Sequence, residues 1–193
     1  HAKGEGKFIR GANEGADPVY GHCIIEVSPQ VGIPSDIDIC VSETQIPKKF
    51  HKVIKEGVME ALENGVLASF KVIGVKVKLV GGSFSEQDSS ESAFKVAAGL
   101  SIRDAVKHAK PILLEPYFKL EVVTPDEFTG NIIGDLNSRR GKISNMTQKG
   151  HFQVIAAEAP LIELFGYATQ VRSLSQGRAS FSMEFCRYLS MPQ

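Results

Sequence analysis

The sequence has no excess of either charge: 22 Lys and Arg stand against 22 Asp and Glu, a formal net charge of +0. That balance excludes a polybasic protein that grips any polyanion through bulk electrostatics, and leaves local basic faces as the only places to meet nucleic acid. Cysteine is scarce too. Cys23, Cys40 and Cys186 are odd in number and widely spaced, fitting neither a disulfide framework nor a zinc pattern, so they read as reduced, intracellular thiols. No apolar run approaches the roughly 20 residues that cross a bilayer. No basic segment followed by an apolar one heads the chain, so the expected location is the cytoplasm, with no membrane partner.

Catalytic motifs are missing as well. There is no GxxxxGK[ST] phosphate loop, no GxGxxG after a strand, no HExxH and no GxSxG. The five histidines, His1, His22, His51, His108 and His151, are scattered, which favours surface or packing roles over metal binding or base catalysis. Neither a catalytic residue nor a metal site is expected, and the chain reads as a non-enzyme.

What is present is an ordinary folded composition, 42% apolar and 23% charged in 193 residues, enough for one large domain or two small ones. The chain opens at His1 without a Met and runs at once into a strand-like segment, the expected look of a piece of a longer protein. Alternation predicts strands at Lys7 to Arg10 and His22 to Val27, with Gly11 to Val19 as a projecting polar loop. A short strand follows at Ile37 to Val41. Pro47 then opens a helix carrying Phe50, Val53, Ile54, Val58, Ala61 and Leu62, which Asn64-Gly65 ends. Phe70 to Val80 reads as a strand running into a second polar loop, Gly81 to Asp88. Asp88, Ser89 or Ser90 then caps a helix carrying Phe94, Ala97, Ile102, Ala105 and Ala109, stopped by Pro111.

From Leu114 the pattern restarts as βαββαβ: a strand to Val123, a helix announced by Thr124-Pro125-Asp126-Glu127, strands at Lys142 to Thr147 and Phe152 to Ala159, a helix from Leu161 to Leu174, and a last strand with Phe181, Met183 and Phe185 on one face. That order is ferredoxin-like and fits in about 80 residues. The expected fold is therefore α+β in two domains, 1–112 and 113–193.

Asp88 and Glu91 beside Ser89 and Ser90 can be drawn as an acid and base with a nucleophile, but the spacing matches helix capping, which requires no chemistry. Ser138-Arg139-Arg140-Gly141 sets two guanidiniums at a helix end, where they suit either the helix dipole or a phosphate. Arg172 and Arg178 flank a second helix end, and with the first pair they would form one basic surface suited to an RNA backbone.

Long stretches resemble elongation factor G. Pro47 to Asn64 with Gly65-Val66-Leu67-Ala68, Gly82-Ser83-Phe84 with Asp88-Ser89-Ser90-Glu91, and Leu113-Leu114-Glu115-Pro116 look like its fourth domain. Val122-Val123-Thr124-Pro125, Ile133-Gly134-Asp135-Leu136-Asn137-Ser138-Arg139-Arg140-Gly141, Phe165-Gly166-Tyr167-Ala168-Thr169 and Arg172-Ser173-Leu174 with Gly177-Arg178-Ala179 look like its fifth. The resemblance implies a mixed-sheet domain with a left-handed βαβ crossover, an exception to the usual rule, followed by a ferredoxin-like domain.

It further implies a monomeric module that engages the ribosome. The tip loops, Asn13, Glu14, Gly15, Ala16 and Asp17 with Ser83, Phe84, Ser85, Glu86, Gln87 and Asp88, would enter the small-subunit decoding region and promote movement of transfer RNA and messenger RNA. Ser138, Arg139, Arg140, Arg172 and Arg178 would contact ribosomal RNA, the Arg139 and Arg140 pair near the sarcin-ricin loop, with Phe165 to Thr169 toward the stalk base. GTP and Mg would belong to upstream domains, and this chain would hold no cofactor. Two departures point to a recycling or ribosome-protection paralogue as the alternative: Ser85 stands where many members carry histidine, and the first loop is about two residues longer by alignment. A regulatory ferredoxin-like module that adds a strand at an open sheet edge is the reading from another class.

Overall fold

The computed structural model describes residues 1–10, 18–34, 36–67 and 69–192. The chain is α+β and separates into two units, His1–Pro111 and Ile112–Gln193. In the first, β1 (Ala2–Arg10), β2 (Val19–Pro29), β3 (Ile37–Ile39), α1 (His51–Asn64), β4 (Val75–Ser83) and α2 (Glu91–His108) follow in order. The sheet order is β1-β2-β4-β3, with β3 parallel to β4 and the other pairs antiparallel.

Alternation decides the faces: Cys23, Ile25 and Val27 of β2 are buried, and so are Val77 and Leu79 of β4. They meet Phe50, Ile54, Val58 and Leu62 from the α1 segment and Phe94, Ala97, Ala98 and Ile102 from α2 in one core. Phe50 and Phe94 stack with centroids 4.5 Å apart.

The fit of α2 on β1 comes from small residues on both sides. Ala93, Ala97, Ser101 and Ala105 recur every four positions and form one buried stripe. Opposite them, a Cβ on Gly4 would lie 2.1 Å from the Ala105 backbone nitrogen, and one on Gly6 would lie 2.1 Å from the Ala97 carbonyl oxygen. The strand and helix therefore touch backbone to backbone, and the Ser101 hydroxyl donates to the Gly4 carbonyl at 2.8 Å. Ser90 caps α2, its Oγ accepting from the Ala93 amide at 3.2 Å.

Cys23 sits in this core, and burial pushes its thiol up to about 12 from an ordinary 9.0. Because the folded state holds the neutral thiol, its contribution to stability is complete below pH 9 and is lost as pH rises from 9 toward 12. Alkylation at pH 8 should label Cys40, which is exposed, and spare Cys23 until the chain is denatured. Mass spectrometry of the labelled peptides checks this.

The second unit runs β5 (Leu114–Pro125), α3 (Thr129–Ser138), β6 (Lys142–Lys149), β7 (Phe152–Pro160), α4 (Tyr167–Leu174) and β8 (Ser180–Ser190). Its antiparallel sheet has the order β6-β7-β5-β8, the ferredoxin-like arrangement. Leu120, Val122, Ile155 and Ala157 of the sheet pack with Ile132 and Leu136 of α3 and Tyr167 and Val171 of α4.

Several expected boundaries move, for physical reasons. The strand expected from Phe70 begins only at Val75, because Gly74 turns the chain at φ 75° and the Val72 amide donates to the Leu62 carbonyl at the end of α1. Its far end continues through Gly81 and Gly82 to Ser83, which pairs with His22, so the second polar loop is shorter than Gly81 to Asp88. The strand expected to end at Val123 runs on to Pro125, and the next helix starts with a 3-10 turn at Asp126–Phe128 instead of at Thr124. The single helix expected from Leu161 to Leu174 is a 3-10 turn, Leu161–Leu164, then α4, broken where Gly166 adopts φ 75°. β1 and β2 are longer than expected, and β3 stops at Ile39 rather than Val41.

Candidate functional site

The loop residues Asn13, Glu14, Gly15, Ala16 and Asp17 lie outside the described residues. The strands that flank them do not: Arg10 pairs with Val19 where β1 ends and β2 begins. The second candidate loop lies against this same end. The Tyr20 amide donates to the Asp88 carbonyl at 2.8 Å, and Tyr20 forms a parallel bridge with Ser89. The start of β2 and the turn that ends at Ser89, far apart in sequence, are thus held together at one end of the first unit.

Within the second segment the side chains divide their work. Phe84 packs against the core. Ser85 turns inward: its hydroxyl donates to Asp88 Oδ2 at 3.1 Å, its Oγ accepts from the Asp88 amide at 3.3 Å, and its own amide donates to Ser89 Oγ at 2.9 Å. Ser85 and Asp88 are consumed in closing the turn. Glu86 and Gln87 are the exposed residues, so the surface offered here is a carboxylate and an amide, without a cation or a ring. Ser83, at the end of β4, bonds to Tyr20 and His22.

In the second unit the neighbouring arginines have separate fates. Arg139 donates from Nε to Asp135 Oδ2 at 2.8 Å, bonds through Nη1 to the Glu163 carbonyl, and lies over the Tyr167 ring at 5.2 Å. Only 19% of its side chain is exposed. Tyr167 is buried, which pushes its phenol above the ordinary range, and its hydroxyl has no hydrogen-bond partner among the described residues.

Arg140, at φ 57°, turns the other way and grips Glu115 with both terminal nitrogens, at 3.2 and 2.5 Å, and reaches Tyr117 Oη at 3.3 Å. Glu115 is 5% exposed. Its bond to the guanidinium raises Arg140 above its already high ordinary value.

The Ser138 hydroxyl donates to the Asp135 carbonyl at 2.7 Å, closing the helix end. Arg178 pairs with Glu127 and covers the Phe128 ring at 4.7 Å. Arg172, on α4, is exposed and makes no ion pair among the described residues. Of the five residues expected to face RNA, Arg172 therefore offers an unengaged cation, Arg178 and Arg140 offer partly engaged ones, and Arg139 is mostly a packing element. Sequence reasoning missed Glu115 as the partner of Arg140, although a carboxylate between Leu114 and Pro116 in a strand was a signal that it needed a cation.

The architecture defines a two-unit α+β protein: a mixed four-stranded sheet with the start of β2 held against the turn at 84–89, then a ferredoxin-like sandwich with arginines at its helix ends. The family models for elongation factor G domain IV and for the elongation factor G C-terminus match residues 2–110 and 112–193. The chain is 48% identical over 193 residues to elongation factor G of Aquifex pyrophilus, covering 100% of this chain and 27% of that protein. Over 199 residues it is 46% identical to elongation factor G of Thermotoga petrophila, covering 100% and 28%. A crystal structure of a Thermus thermophilus protein superposes with a TM-score of 0.88 at 36% identity, over 99% of this chain and 28% of that one. The chain belongs to the elongation factor G family and corresponds to its C-terminal part.

Proposed function

We propose that this chain is the ribosome-engaging portion of a translocase, with residues 1–112 as the tip domain and 113–193 as an RNA-facing domain. The observation that carries this is the joining of two distant segments at one end, through the bond from the Tyr20 amide to the Asp88 carbonyl. An internally braced end of this kind suits insertion into the decoding region of the small subunit. It acts by fit: a body occupying the place that transfer RNA vacates favours the translocated state only by binding it better than the earlier one. In this reading GTP and Mg are handled by residues outside this chain, Arg172 with the exposed parts of Arg140 and Arg178 meets large-subunit RNA near the sarcin-ricin loop and stalk base, and the protein works as a cytoplasmic monomer. The test is ribosome pelleting of the whole protein at low and high salt. Association that weakens steeply with salt supports the reading, and no association at low salt overturns it.

Ser85 favours a second reading, a recycling or ribosome-protection factor. Its hydroxyl is spent on Asp88, so this turn lacks the imidazole that many members present. Ser85→His in the whole protein should free Asp88 and place a ring at the turn. A translocase is expected to move transfer RNA as fast or faster, by up to about tenfold. A recycling factor should show no translocation before or after the change while still splitting subunits.

A further inference from the structure

The sheet of the first unit carries a line of polar side chains on the face opposite α2. Glu5 Oε1 lies 2.8 Å from His22 Nε2, His22 Nδ1 lies 2.8 Å from Ser83 Oγ, and Ser83 Oγ lies 2.7 Å from the Tyr20 hydroxyl. Three strands contribute: β1, β2 and β4. His22 is only 16% exposed, while Glu5, at 63%, faces water. The approach of β4 to β2 depends on Gly82, whose φ is 152° and where a Cβ would fall 2.3 Å from the His22 carbonyl oxygen.

The proton order along this line follows from what each group can do. A carboxylate only accepts, so Glu5 requires a proton on His22 Nε2. In the neutral ring that leaves Nδ1 as an acceptor, which takes the Ser83 proton. Ser83 Oγ is then free to accept from Tyr20. One exposed carboxylate thus fixes the ring form of His22 and the direction of two hydroxyls. Tyr20 is the residue whose amide holds Asp88 at 2.8 Å, and its ring lies under the Lys7 ammonium at 5.6 Å.

We propose that His22 is a positioning residue for the tip: held as its Nε2–H form by Glu5, it orients Ser83 and Tyr20 and so locks the start of β2 against the turn at 84–89. The consequence for ribosome engagement rests on the reading of this end as the tip, but the lock itself is a property of the free protein and is tested without ribosomes.

Two readouts on the isolated chain decide it. The imidazole nitrogen shifts of His22 should report the Nε2–H form, and Glu5→Gln should mix in the other form, because an amide both donates and accepts. Backbone amide exchange at Tyr20 and Ser89, with Ile25 in the middle of β2 as the internal reference, should rise about tenfold in Ser83→Ala and Tyr20→Phe while Ile25 stays unchanged. His22→Asn, which keeps an acceptor near the Nδ1 position, should restore most of the protection that His22→Gln loses. The proposal is overturned if His22 is in the Nδ1–H form, if the Tyr20 and Ser89 amides do not respond, or if Ile25 accelerates in parallel, which marks general destabilisation. Pelleting with ribosomes is independent of all three outcomes.

Discussion

Arg140→Glu is expected to destabilise the second unit by about 3 kcal/mol, because the buried carboxylate of Glu115 is left without its compensating cation. Glu115 is 5% exposed and Arg140 supplies two of its hydrogen bonds, so the variant sets two carboxylates against each other between the start of β5 and the end of α3. Arg139→Glu should act similarly, placing a negative charge beside Asp135 and the Glu163 carbonyl. Arg172→Glu should behave in the opposite way. It removes an exposed cation, should leave thermal unfolding within about 0.5 kcal/mol of the parent, and should weaken ribosome association uniformly while lowering its salt dependence. Thermal unfolding run beside ribosome pelleting separates the two classes. If Arg140→Glu pelleted poorly while melting like the parent, its guanidinium would face RNA rather than Glu115.

The second large effect concerns Gly6. A side chain there would enter the backbone of α2, with the first added carbon 2.1 Å from the Ala97 oxygen and 2.4 Å from the Ser101 nitrogen. Neither neighbour can rotate away. Gly6→Val should therefore lift α2 from β1 and cost about 3 kcal/mol or more, at the upper end of overpacking penalties. Gly130→Ala is the matched control: nothing lies within 4 Å of that position, which is inside α3. It should be stabilising by up to about 1 kcal/mol, since Gly is a poor helix former. Denaturant unfolding with a probe in each unit measures both, and equal behaviour of the two variants would contradict the backbone-contact picture.

Much of the fold was legible because period and punctuation agree with burial. The strand and helix order of the second unit follows from the strand pattern to Val123, with Leu120 and Val122 on its buried face, and from helical spacing in Ile132 and Leu136, and all four are buried. At two of the places where the reading failed, a glycine's backbone angle made the difference. Gly74 and Gly166 both take positive φ, ending one expected strand and splitting one expected helix, and nothing in periodicity distinguishes them from Gly99, which lies within α2. The candidate sites were less legible. Ser85, Arg139 and Arg140 were visible as residue types suited to RNA, but their partners Asp88, Asp135 and Glu115 are fixed by turns and strand pairing. Only the fold reveals that each is already held by one of these partners. The line from Glu5 to Tyr20 was invisible for the same reason: its members come from three strands, and in the sequence His22 is one of five scattered histidines.

The most direct test of the central claim uses the whole protein with Glu86→Cys, the exposed Cys40 and the half-buried Cys186 replaced by serine, and an iron chelate tethered at position 86. Bound to ribosomes, it should cleave small-subunit RNA around the decoding region, with cleavage lost when the first unit is destabilised by Gly6→Val. Binding to ribosomes with no cleavage of small-subunit RNA from position 86 would contradict the claim that this end enters the decoding site.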